Sequence, residues 1–171
     1  MKTENVTLRS FKTADQEQIL DILTSEKVNR TYMLPDYKTR NDAIPLFRRL
    51  MELSVDRHRF VRCIAVEDTA IGFVNDVEIK DESIELGYVI HPDYQGRGYM
   101  TQALKMAVAE LFSLGYTEVV AGAFEDNIAS IRVMEKARMD KLDKTERIEY
   151  HGKIHRCIYF HAVGNQLKEE K

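Results

Sequence analysis

The chain has few of the features that staple small folds or cross bilayers. Its 171 residues include two cysteines, Cys63 and Cys157. That is too few for a disulfide framework, and they stand too far apart for a zinc motif. No run approaches the ~20 apolar residues that span a bilayer. Met1 to Phe11 carries charges where a signal peptide would have its apolar segment. There is no excess of positive charge: 25 basic and 28 acidic residues leave a formal charge of −3. This argues against broad binding to a nucleic-acid backbone, which needs a basic face. Internal repeats, linkers and low-complexity tracts are missing too. What remains is 44% hydrophobic and 31% charged, in regular patterns that exclude an all-disordered chain. The expectation is one cytoplasmic domain over residues 1–165, with no nucleic-acid or membrane partner, and a charged tail over 166–171.

Alternation over Val6–Arg9 predicts a first strand. Thr13 or Asp15 can cap a helix carrying Ile19, Leu20, Ile22 and Leu23. Ser25 to Arg40 lacks a period and holds Pro35, so it reads as a loop. Asn41 is the expected cap of a second helix, with Pro45 in its first turn, where amides have no intrahelical acceptor. Strands are then expected over Arg59–Val66, Ala70–Ile79 and Ile84–Ile90, the last stopped by His91-Pro92-Asp93. Met100, Ala103, Leu104, Ala107, Val108 and Leu111 mark a strong amphipathic helix. Gly115 stands where a glycine cap belongs. An apolar strand over Glu118–Phe124 follows, then a short helix capped by Asp126 or Asn127. Two strands, Asp140–Tyr150 and Lys153–Val163, meet at His151-Gly152. Hairpins first, then strands alternating with helices, imply a mixed sheet in an α/β (α+β) domain.

The chemically informative stretch runs from Glu85 to Leu104. A strand ends, a turn bears Gly96 and Gly98, and a helix begins. Amides at such a junction point at one spot, and the helix dipole favours an anion there. An isolated Gly-x-Gly is also what a plain turn contains. A Walker loop is excluded, since no Gly-Lys-Ser/Thr follows. A dinucleotide fingerprint would need glycine where Thr101 stands.

Gln95-Gly96-Arg97-Gly98-Tyr99-Met100, after a strand ending in His91-Pro92, resembles the acetyl-coenzyme A motif of the GNAT superfamily of N-acetyltransferases. Met100 departs from the family's glycine or alanine. A second block, Asp126-Asn127 through Ser130 to Glu135-Lys136 and Met139, resembles the family's Asn-x-x-Ser…Glu-Lys segment, with Arg138 in place of glycine. The order of elements agrees over residues 4 to about 163. The resemblance implies a mostly antiparallel sheet of six or seven strands with about four helices. It implies acetyl-CoA as co-substrate and no metal. Its pantetheine arm would pair with backbone of Tyr88, Val89 and Ile90, and its pyrophosphate would sit on the amides of Gln95, Gly96, Arg97, Gly98, Tyr99 and Met100. Asn127 would bond the pantetheine or order its turn; a plain helix cap is the alternative.

Acetyl transfer to an amine needs a deprotonated nucleophile, donors for the developing oxyanion and a proton for the leaving thiolate. The pattern Ser130…Ile148-Glu149-Tyr150-His151-Gly152 resembles the branch that acetylates ribosomal-protein N-termini. That likeness implies Glu149 as base and Ser130 as acid. Glu85 is the second candidate base, since other family members place a carboxylate on that strand. Each of the three is equally explicable as an ordinary surface or turn residue. The resemblance implies an amine acceptor: a protein N-terminal α-amine, or a small molecule such as a polyamine, amino acid or antibiotic. A non-catalytic acyl-CoA sensor and a homodimer stay open. His151 and His155 are four apart but fall on a hairpin with no third ligand nearby, which argues against a zinc pair.

Overall fold

In the computed structural model, which describes residues 4–164, these patterns become seven strands and five α-helices. The expected tail over 166–171 lies outside the described residues. The strands are β1 (Val6–Arg9), β2 (Val61–Val66), β3 (Thr69–Lys80), β4 (Ser83–Ile90), β5 (Glu118–Phe124), β6 (Asp140–Tyr150) and β7 (Lys153–Val163). The helices are α1 (Gln16–Leu23), α2 (Glu26–Asn29), α3 (Ile44–Ser54), α4 (Tyr99–Ser113) and α5 (Ile128–Lys136). Strand order is β1-β2-β3-β4-β5-β7-β6. The ladders β1–β2, β2–β3, β5–β7 and β6–β7 are antiparallel, and β4–β5 is parallel. Among the described residues no helix is long and apolar enough to cross a membrane.

Two units can be told apart. The first comprises Met1–Asn75 and Tyr88–Ala103. Its core gathers Ile19, Leu20, Ile22 and Leu23 of α1 with Phe47 and Leu50 of α3 and Val61, Cys63 and Phe73 of the strands. Phe11 packs edge-on against both Phe47 and Phe73, with centroids 6.2 Å away in each case. Asp15 is buried, and Arg9 donates to both its oxygens at 2.8 Å. The Lys12 amide adds a 2.7 Å bond to the same carboxylate. Burial pushes that carboxyl up, and these donors outweigh it, leaving it below the ordinary range.

The expected loop over 25–40 contains a turn of helix, α2. Ser25 caps it by accepting from the Val28 amide at 3.3 Å, and Val28 and Leu34 are buried. Four residues are too few to show a period, so the helix is invisible to pattern reading. Tyr32, just after α2, donates to Asn75 Oδ1 at 2.6 Å. The cap ahead of α3 is Thr39, not Asn41. Thr39 and Asp42 exchange bonds at 3.0 and 3.3 Å in a capping box, and a 3-10 turn over Arg40–Ala43 leads into α3.

The second unit comprises Asp76–Gly87 and Leu104–Lys171. Leu104, Ala107, Val108 and Leu111 of α4 are buried, as the apolar stripe requires. Gly115 has φ +101° at the end of that helix. In the ladder register Glu85 lies opposite Val120, Gly122 opposite Tyr159 and Glu146 opposite Cys157. Directly paired residues share a face, so Glu85, Gly122, Tyr159, Cys157 and Glu146 lie on one side of these strands. The register slips between Lys141 and Thr145, a bulge of the kind that re-aims side chains.

Candidate active site

The first unit carries the strand–turn–helix junction. β4 pairs with β5 from Ser83–Leu86, opposite Glu118–Ala121. Tyr88, Val89 and Ile90 lie beyond the last residue of that ladder. On their other side the chain passes very close to β3. A Cβ built on Gly72 would lie 2.3 Å from the Val89 carbonyl oxygen and 3.0 Å from the Ile90 Cα. Only glycine fits there. His91 then ends the strand, its amide bonding the Ile71 carbonyl at 2.7 Å. Its Nδ1 accepts from the Asp93 amide at 3.1 Å, which forms the Pro92–Tyr94 turn.

Gln95, Gly96, Arg97 and Gly98 are exposed. Gly96 and Gly98 have φ +76° and +82°, and a Cβ on either would meet nothing within 4 Å. The glycines are therefore demanded by backbone conformation, and the space beside them is open. α4 begins at Tyr99, so the amides of its first turn have no intrahelical acceptor. Backbone N–H groups and the positive helix end suit a phosphate there. The Arg97 guanidinium lies 5.6 Å from the Tyr94 ring centroid. Tyr99 and Met100 are buried. The Tyr99 hydroxyl donates to Glu4 at 2.6 Å, and that bond, ahead of other causes, pushes the phenol up. Met100 departs from the family's small residue by sending its side chain into the interior.

The second unit carries the three candidate catalytic residues and Asn127. Asn127 accepts from the Ser130 amide at 3.2 Å and caps α5. Ser130 is half-buried in the first turn. Arg138 follows α5 with φ +61°. An arginine holds this left-handed geometry at a conformational cost. Glu149 is exposed on β6, paired with Ile154 of β7. Alternation places it on the opposite face of β6 from Ile148 and Tyr150. Those two pack against Phe124, Cys157 and Tyr159.

Glu85 is half-buried on the face that holds Tyr159. Burial pushes its carboxyl up. Glu146 and Glu78 add to the rise, and the Lys144 ammonium opposes it. That is the direction a general base working near neutrality needs. Around it stands a group that sequence reasoning passed over. Tyr159 donates to Glu146 Oε2 at 2.7 Å. Lys144 lies 3.6 Å from Glu146 Oε1 and 4.4 Å above the Tyr159 ring. A Cβ on Gly122 would lie 2.7 Å from that ring and 3.2 Å from Cys157 Sγ. A glycine inside an apolar strand is the signal that could have pointed here. Burial pushes the Cys157 thiol up, and that of Cys63 up to about 12, so neither is poised as a nucleophile. Among the described residues no group of three or more His, Cys, Asp or Glu side chains is placed to hold a metal.

The chain's relationships accord with this junction. Residues 5–140 match the acetyltransferase (GNAT) domain, and the chain belongs to that family. It is an N-acetyltransferase by membership. It is 27% identical over 147 residues to the uncharacterized N-acetyltransferase YoaA of Bacillus subtilis (strain 168), covering 82% of each chain. The fold is shared with RimL, a ribosomal-protein α-N-acetyltransferase solved with coenzyme A (17% identity, TM-score 0.81, 95% of each chain). It is also shared with a spermidine N-acetyltransferase from Vibrio cholerae solved with CoA and spermine (16% identity, TM-score 0.78, 94% of this chain and 96% of that one). At such identities the likeness concerns the fold alone.

Proposed function

We propose that this chain transfers acetyl from acetyl-CoA to a primary amine, a protein N-terminal α-amine of the ribosomal-protein kind first. The observation that carries the donor assignment is the turn at Gly96 and Gly98, left-handed, exposed and feeding the start of α4. Backbone amides of Gln95 to Met100 would hold the pyrophosphate, and those of Tyr88, Val89 and Ile90 the pantetheine arm. Asn127 would hold or order the same arm. The amine nitrogen attacks the thioester carbonyl carbon, the C–N bond forms and the C–S bond breaks. Glu149 takes the amine's proton and passes it to solvent. Ser130 gives one to the thiolate and takes its replacement from solvent, so that the net proton lost by the amine ends on the coenzyme A thiol. The products are an N-acetyl amine and the coenzyme A thiol. Residues 1–165 would act as one domain in the cytoplasm, with a homodimer as the open partner.

Glu85 is the second reading for the base. Its partial burial and raised pKa favour it, whereas the surrounding sequence pattern favours Glu149. Small-molecule amines are the second reading for the acceptor. The experiment is a panel of peptides and small amines scored by coenzyme A release. N-terminal peptides releasing thiol faster than polyamines, amino acids or aminoglycosides support the α-amine. No release of coenzyme A with any amine, while acetyl-CoA still binds, makes the chain a binding module.

A further inference from the structure

Lys144 sits where a cation is well received. The β6 bulge between Lys141 and Thr145 brings its ammonium 4.4 Å above the Tyr159 ring and 3.6 Å from Glu146 Oε1. The ring is fixed. It is buried, its hydroxyl is bonded to the same Glu146 carboxylate, and it lies across Gly122, where any side chain would displace it. Glu85 is on this face, near enough to feel Lys144, Glu146 and Glu78. An aromatic face beside carboxylates is how proteins recognise ammonium groups. Lys144 itself is half exposed, with 49% of its side chain open to solvent, so its hold is weak and reversible. Other titratable groups on this face include Cys157, which is buried, Tyr150, His155, whose ring stacks on Phe124 at 4.3 Å, Asp140, which lies opposite His161 in the ladder, and Glu118, which is bonded to His161 at 2.8 Å and to Ser83 at 2.8 Å.

We propose that Lys144 is a specificity-determining residue whose tethered ammonium fills a cation position beside Glu85, so that acceptors bringing a second positive charge there are rejected. Monocationic acceptors, such as a peptide α-amine, meet no such competition. A diamine or polyamine must displace Lys144 or place its second charge elsewhere. The inference rests on the second reading above, in which Glu85 is the base and the acceptor lies beside it, and it narrows the acceptor class.

The test compares 1,4-diaminobutane with n-butylamine by calorimetry on the full chain saturated with coenzyme A, at fixed low salt. Lys144→Ala should bind the diamine at least tenfold more tightly than the parent and leave butylamine unchanged. Lys144→Arg should behave as the parent, and adding Glu146→Gln to Lys144→Ala should abolish the gain. Equal diamine affinity in parent and Lys144→Ala overturns the proposal, as does an equal gain for butylamine. If the alanine variant does not fold, Lys144→Gln carries the same expectation. Binding requires no turnover, so the two readings fail separately. A parent that releases no coenzyme A with any amine overturns the transfer reading, while the difference in diamine affinity is still read.

Discussion

Glu149 and Glu85 differ in surroundings more than in chemistry. One is exposed on β6; the other is half-buried, with the Glu146 and Glu78 carboxylates raising its pKa and the Lys144 ammonium opposing them. With Glu149 as base, Glu149→Gln should lower kcat by about 10²–10⁴-fold at neutral pH and recover partly at high pH, where amine loses its proton unaided. Glu85→Gln should cost less. The reverse ranking moves the base to Glu85. Its elevated pKa would then put the acid limb of kcat/KM above the usual carboxylate value of about 4.3, activity falling as Glu85 is protonated. The Arg138 backbone gives a cleaner test. At φ +61° a non-glycine residue is strained, so Arg138→Gly should be more stable in urea than Arg138→Ala by about 1 kcal/mol, both having lost the same side chain. Equal stability of the two variants would mean that the turn carries no such strain.

At the level of strands and helices, a glycine on β3 governs a strand of the proposed cofactor site. Gly72 leaves 2.3 Å between a would-be Cβ and the Val89 carbonyl oxygen, which is backbone and cannot swing aside. Gly72→Ala should destabilise by ~1–3 kcal/mol. It should also weaken acetyl-CoA binding, because Val89 is proposed to pair with the pantetheine arm. Full affinity in a destabilised variant would separate β3 packing from that arm. Nothing in the sequence marks Gly72 as more than one glycine in an apolar run. By contrast, α4 was legible from its stripe, and β6 and β7 from the turn at His151-Gly152. Both turn residues have positive φ, 50° and 70°. The turn at Gly96 and Gly98 was legible because its glycines obey a backbone demand. The Lys144–Glu146–Tyr159 group was not, because it depends on a bulge and on which residues face each other across β5, β7 and β6. α2 was missed for its brevity, and Thr39 was missed as a cap because Asn41 is equally suited by type.

For the folded chain as a whole, the buried Asp15 is an acid-sensitive point that the geometry identifies. Its carboxylate is held low by Arg9 and the Lys12 amide against the cost of burial. The ionised form therefore stabilises the native state above the unfolded-state pKa of about 3.9. That contribution fades as pH falls below this value and through the lower native one. Asp15→Ala should cost ~2–3 kcal/mol at pH 7, and the difference from the parent should shrink toward pH 2. A difference independent of pH would show that the carboxylate's charge is not what matters.

The proposed acetyl transfer depends on an acetyl-CoA pyrophosphate resting on the turn before α4. Calorimetric titration of acetyl-CoA into the parent, Gly98→Ala and Gly98→Asp examines this. Both substitutions strain a backbone at φ +82°, but only aspartate adds a negative charge beside the proposed phosphates. The expected result is a modest loss for alanine and a loss beyond tenfold, at least ~1.4 kcal/mol, for aspartate. A folded Gly98→Asp protein that binds acetyl-CoA as tightly as the parent would contradict it.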